Sequence, residues 1–158
     1  MTRLYGRSLV GERCRDYTPH GHWRTTTLLS AIRLSGVVTP ATVIYDGPIN
    51  RVTFEGYVEQ YLAPSLLPGD VVVMDNLSAH KSQHVTDLIE SVGATLWYLP
   101  AYSPDLNPIE KLWSKVKSWL RRVAVRTFEA IGQALVEVLQ TVSPTECANY
   151  LQSCGYEI

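Results

Sequence analysis

No stretch of this 158-residue sequence is long and apolar enough to cross a bilayer, which takes about 18 or more consecutive apolar residues. Its first residues carry no apolar core of a secretory leader. Cysteine is scarce, with only Cys14, Cys147 and Cys154, an odd number without Cys-x-x-Cys spacing. That pattern argues against a disulfide framework or a cysteine zinc site and fits a reducing cytosol. An excess of one charge is lacking too: 14 Lys and Arg against 15 Asp and Glu give a formal net charge of −1. No global positive field marks a nucleic-acid binder, so any such role must rest on local patches. Internal repeats, low-complexity segments and linkers are absent. What remains is a 46% hydrophobic chain, enough for one core and one cytoplasmic α/β domain.

The order of elements follows from periodicity and punctuation. Residues 1–24 are polar and Arg-rich and read as a loop or short hairpin. Thr25 to Leu34 is dense in β-branched and aliphatic residues and predicts a strand. A second strand, Ala41 to Tyr45, stops at the turn residues Asp46-Gly47-Pro48. Phe54, Tyr57, Val58, Tyr61 and Leu62 then form one apolar helical stripe, ended by Pro64 and Pro68-Gly69. Val71 to Met74 reads as a strand buried on both faces. Residues 82–91 are helical, with Val85, Leu88 and Ile89 on one side, and Thr95 to Leu99 is another strand. Pro100 and Pro104 exclude a regular helix over the next residues and make a stiff connector. Three helices close the chain, over Pro108 to Arg122, Phe128 to Leu139 and Pro144 to Gln152. Ser143-Pro144-Thr145-Glu146 opens the last as a capping box, and Cys147 and Cys154 read as small core residues. The order β-β-α-β-α-β-α-α-α is that of a mixed α/β domain.

Asp75 and Asn76 follow the apolar Val71–Met74 strand, the position where open α/β sheets carry their sites. The same pair also reads as ordinary turn chemistry. Glu110 has two readings as well. Asn107, Pro108 and Glu110 fit N-cap, N1 and N3 of a capping box, yet a carboxylate at a helix start is held rigidly enough for catalysis. The helix beyond it carries Lys111, Lys115, Lys117, Arg121, Arg122 and Arg126 with no acidic residue between them. An ordinary solvated face mixes signs, so this one points to phosphate binding. On a helical wheel Leu112, Trp113, Val116, Trp119, Leu120 and Val123 form the buried stripe, and Lys117 and Arg121 fall near Glu110. His80 and Lys81 share the loop after Asp75 and are candidates for supporting it or touching DNA. His20, His22 and His84 suggest no role by their spacing.

Together, Val73-Met74-Asp75-Asn76-Leu77-Ser78-Ala79-His80-Lys81 and Leu99-Pro100-Ala101-Tyr102-Ser103-Pro104-Asp105-Leu106-Asn107-Pro108-Ile109-Glu110 resemble bacterial insertion-sequence transposases of the mariner-type superfamily. The 34 residues between Asp75 and Glu110 match the Glu-bearing branch. Pro19-His20-Gly21-His22-Trp23, Asp46-Gly47-Pro48-Ile49-Asn50 and the Glu146-to-Tyr156 end look like family segments too. The resemblance implies an RNase H-like mixed sheet flanked by helices, with a core over about 20–125 and C-terminal helices over about 127–154. It implies two Mg²⁺ (or Mn²⁺) ions held by acidic side chains, since these hard cations prefer oxygen ligands. Asp75 and Glu110 would be the second and third metal-binding carboxylates, supported by Asn76, Asn107 and Pro108. Cleavage at transposon ends and joining to target DNA would follow, with His80, Lys81, Lys111, Lys115, Lys117, Arg121 and Arg122 as nucleic-acid contacts and a homodimer as the working form. Such a protein would act in the bacterial cytoplasm, at the nucleoid.

The resemblance also implies a missing part. The first carboxylate normally ends a first strand placed before a segment like Met1-Thr2-Arg3-Leu4-Tyr5-Gly6-Arg7, and a helix-turn-helix region precedes that. Neither Asp16, in a polar loop, nor Asp46, in the Asp-Gly-Pro turn, replaces it. The absent strand is central in the RNase H-like topology, so its neighbours should expose unpaired edges and leave the chain weakly stable. Three readings stand: an active transposase domain, an inactive remnant, or a non-catalytic DNA-binding or oligomerisation module.

Overall fold

The computed structural model describes residues 5–15 and 25–157. Residues 5–15 form no helix or strand, and the rest of the 1–24 segment lies outside the described residues. Strand β1 (Thr26–Leu29) pairs antiparallel with β4 (Val43–Asp46). Between them, β2 (Ile32–Arg33) and β3 (Gly36–Val37) form a small antiparallel hairpin. The single strand expected over Thr25–Leu34 is therefore two. Its continuation bends back on itself, with Gly36 at φ 134° opening β3, a conformation that favours glycine. Strand β5 (Val71–Met74) pairs in parallel with β6 (Thr95–Tyr98).

Among the described residues five helices surround these strands. Asn50 caps α1 (Arg51–Tyr57) by accepting from the Thr53 N–H at 2.9 Å. Val58–Leu62 prolongs α1 with π-type bonding, and the Ala63–Ser65 turn ends the run at Pro64. Ser82 caps α2 (Gln83–Ser91). Then come α3 (Ile109–Val123), α4 (Phe128–Gln140) and α5 (Pro144–Ser153). The capping box at Ser143 and Glu146 is formed as the sequence predicts.

The apolar side chains collect in two clusters. Phe54, Tyr57, Val58, Met74, Val85 and Ile89 join α1, β5 and α2. Leu112, Val116, Leu120, Leu135, Val138 and Cys147 join α3, α4 and α5. Cys147 and Cys154 are buried as small core residues. On α3 the innermost stripe is narrower than the wheel implies: Trp113 and Trp119 are half-buried and Val123 is exposed.

Among the described residues no strand joins β1 to β5; each pairs on one side only. An apolar cleft of about 480 Å³ lies between them, walled by Leu28, Leu29 and Ile32 on one side and Val71–Met74 on the other. This open edge corrects the expectation for Val71–Met74. Met74 is buried, Val72 and Val73 are only half-buried, and Val71 is exposed. Pairing on one side leaves the other side of the strand facing the cleft rather than a neighbour.

Candidate active site

The cleft runs along β5 between two polar ends. At the start of β5, Arg33 donates to Asp70 Oδ2 at 3.2 Å and to the Ser65 carbonyl at 3.0 Å. Asp70 also accepts from the Leu67 N–H at 2.9 Å. At the far end, about 13 Å on for a four-residue strand, Asp75 follows Met74. Asp75, His80, Asn107, Pro108 and Glu110 all line this cleft. Topology brings them there. The Leu99 N–H donates to the Met74 carbonyl at 2.8 Å, so the chain leaving β6 starts beside Asp75. The Leu99–Asn107 connector then returns it to the cleft at α3.

Asp75 is fixed by its own loop. Its Oδ1 accepts from the Leu77 N–H at 3.3 Å and lies 2.6 Å from His80 Nδ1. That Nδ1 is buried and makes no aligned hydrogen bond, so the contact is a close approach rather than a directed bond. The imidazole stacks on Phe54 with ring centroids 4.1 Å apart, and the His80 carbonyl accepts from Tyr98 Oη at 2.9 Å. Core helix α1 and strand β6 thus both hold the residue that touches Asp75. Asn76 Oδ1 is also buried without a partner, an unused oxygen beside the carboxylate.

Glu110 does not sit in a capping box. Pro108 itself adopts helical geometry (φ −61°, ψ −28°) and stands at the N-cap, with no side-chain cap bond. Asn107 gives only its carbonyl, which accepts from the Glu110 N–H at 3.1 Å. Asn107 is extended (φ −100°, ψ 102°), its side chain makes no capping bond, and Glu110 is exposed in the first turn.

Two carboxylates plus nearby oxygen donors fit a Mg²⁺-type ion, which typically takes one or two carboxylates with water and substrate phosphate. No cluster of three His, Cys, Asp or Glu able to hold a metal occurs among the described residues. Asp75 and Glu110, which both line the cleft, could hold such an ion.

The basic residues divide. Lys81, Lys111, Lys117 and Arg122 are exposed and Arg121 is half-exposed. The Arg122 guanidinium lies 4.1 Å above the Trp119 ring. Lys115 goes elsewhere: its Nζ donates to both Glu146 oxygens, at 2.7 and 2.9 Å, and to the Thr141 carbonyl at 3.0 Å. A wheel sees only α3, whereas the partner comes from α5, so the phosphate-binding expectation meets a cation already neutralised.

The Lys115 ammonium, then the Ser143 N–H, hold the Glu146 carboxyl below its ordinary value of 4.5. A depressed folded value contributes stability above the unfolded value, and that contribution is lost as pH falls through the folded one. The melting-temperature gap between wild type and Lys115→Met should therefore be present at neutral pH and close as pH falls below 4.5. The gap should be small because the pair is partly exposed. A gap that persists well below that range would remove the ion pair as its cause.

A family model described as the DDE superfamily endonuclease matches residues 1–132. The chain belongs to the DDE superfamily endonucleases. It is 25% identical over 126 residues to the transposable element Tcb2 transposase of Caenorhabditis briggsae, covering 70% of this chain and 46% of that protein. The chain thus spans about half the length of the curated relatives it matches. Its fold matches the Mos1 transposase paired-end complex with left transposon end at a TM-score of 0.76 and 18% identity, over 98% of this chain and 47% of that one. It also matches a structure of the Mos1 transposase catalytic domain and Raltegravir with Mg at 0.61 and 16% identity, over 85% and 83%. The expected mixed α/β, RNase H-like architecture of this DDE endonuclease is therefore borne out. Among its described residues no helix is long and apolar enough to cross a membrane.

Proposed function

We propose that this chain is the catalytic-domain part of a cut-and-paste DNA transposase, supplying the second and third carboxylates of a D-D-E centre. One observation carries the reading: Asp75 and Glu110, from motifs 34 residues apart, both line the cleft that runs along β5. Mg²⁺ or Mn²⁺, two ions in a complete centre, would activate the attacking oxygen and stabilise the leaving one. Asp75, steadied by Leu77 and His80, and Glu110, fixed at the start of α3, would hold them. Lys117 and Arg121 on α3, with Lys111, Arg122 and Lys81 nearby, would grip the DNA backbone.

The cleft has a role in the same reading. An extended apolar strand seated there would pair with the free edges of β1 and β5 and bring a further carboxylate beside Asp75. A second reading is that the chain binds DNA without cutting it. Translating the DNA upstream of the Met1 codon separates the sources: an in-frame apolar strand ending in acidic residues would supply the cleft. An in-frame stop would favour a remnant.

Binding is tested by gel shift on duplex DNA across a salt series. Affinity should fall steeply with salt, and Lys117→Ala or Arg121→Ala should each flatten the log–log salt slope by about 1. Absence of binding at low salt would overturn the proposal.

A further inference from the structure

The loop that carries Asp75 has no buried anchor of its own. From Asp75 to Lys81 it forms no helix or strand, and none of its residues is buried. Leu77, near its middle, is 57% exposed. A segment with so little apolar burial opens easily unless bonds from its neighbours hold it. Two hydrogen bonds run within the loop: the Leu77 N–H donates to Asp75 Oδ1, and the His80 N–H donates to the Leu77 carbonyl at 3.0 Å. Both are internal, so they shape the loop without tying it to the domain.

A tie to the domain comes from β6. Tyr98 stands opposite Met74 in the β5–β6 register, so the loop starts beside it. The loop also returns to it: Tyr98 Oη donates to the His80 carbonyl at 2.9 Å. One strand residue therefore meets both ends of the Asp75–His80 segment, and its ring packs on the core cluster of Phe54, Met74 and Ile89. The His80 imidazole stacks on Phe54, which is 3% exposed, and its Nδ1 comes to 2.6 Å from Asp75 Oδ1. We infer that Tyr98 is a positioning residue for the Asp75 carboxylate, acting through His80. A half-buried tyrosine hydroxyl takes an acceptor wherever it packs, and a bond made only for that reason would leave Asp75 indifferent to its loss. Here the bond sets where His80 stands, and His80 bounds one side of the carboxylate. The inference rests on the D-D-E reading and adds to it a residue that neither motif contains.

The test compares the 158-residue chain with Tyr98→Phe, which keeps the ring in the core and removes only the donor. In the metal-free chain, solvent exchange of the Leu77 amide, read by nuclear magnetic resonance, should quicken about 2- to 12-fold, the range that one net hydrogen bond corresponds to. Amides of α2 should keep their rates. Mn²⁺ affinity, read by electron paramagnetic resonance, should fall by a similar factor. The double variant with His80→Ala identifies the route: once the His80 side chain is gone, Tyr98→Phe should cost no further Mn²⁺ affinity, whereas independent effects add. Unchanged Leu77 exchange would overturn the inference, as would additive losses in the double variant, which mean that Tyr98 acts on the fold at large. If Asp75→Asn weakens Mn²⁺ binding and Tyr98→Phe does not, the metal site stands and only the role of Tyr98 falls. If Asp75→Asn leaves Mn²⁺ binding unchanged, both fall.

Discussion

Replacing Asp75 by Asn should lower the affinity of the cleft for Mn²⁺ by about 100-fold or more and bring any Mg²⁺-dependent nicking to background. Residues that merely orient a metal ligand cost 10- to 100-fold when changed, and a ligand itself should exceed that. Asn keeps the shape and can still accept from the Leu77 N–H, so the fold should persist. It removes the charge that a hard divalent cation needs. His80→Ala provides a graded comparison. His80 lies 2.6 Å from Asp75 Oδ1 and is clamped by Phe54 and Tyr98. Its loss frees the carboxylate to rotate, so Mn²⁺ affinity should drop within the 10- to 100-fold range of an orienting residue. Titration of Mn²⁺ by electron paramagnetic resonance reads both effects directly. Unchanged Mn²⁺ binding in Asp75→Asn would sink the site assignment whatever the nicking assay reports.

The sequence carried the overall α/β architecture further than the pairing and burial within it. Asp75 and Glu110 stand out as candidates in the sequence because each lies in a long motif and because a strand end and a helix start are rigid places to hold a carboxylate. Local signals also gave α2, α4 and α5 to within a residue or two, since Ser82 and Ser143 cap their helices as their positions predict. The misses are tertiary. Val71–Met74 reads as doubly buried from its apolar run, yet burial depends on a neighbour that the run cannot specify. Lys115 reads as part of a phosphate-binding face, yet its partner Glu146 lies on another helix. Asn107 reads as a cap, but its side chain makes no bond to the first turn of α3. The Thr25–Leu34 run is broken at Ser30-Ala31 between β1 and β2, which no turn residue marks, and Gly36 lies beyond it in the β2–β3 hairpin.

Leu112→Ala should destabilise the chain by about 2–5 kcal/mol, the usual range for emptying a buried leucine site. Leu112 is 0% exposed, in the cluster that binds α3 to α4 and α5. For a domain of this size, each kcal/mol shifts the melting temperature by about 2–4 °C, so a drop of roughly 4–20 °C is expected. Leu112→Met, which conserves volume, should cost under about 1.5 kcal/mol. The two apolar clusters make the location of the damage informative. Hydrogen exchange in Leu112→Ala should quicken first across 109–153, while amides of 71–98 keep their protection longer, because Ile89 and Met74 belong to the other cluster. Uniform loss of protection would mean the clusters unfold as one unit. A melting shift under about 2 °C would mean the cavity collapses without cost. The consequence for chemistry follows from position. Leu112 lies two residues after Glu110 on the first turn of α3, so loosening that turn should weaken Mn²⁺ binding without removing any ligand. Leu112→Met should leave it intact, because the turn stays packed and the Glu110 carboxylate stays where the cleft needs it.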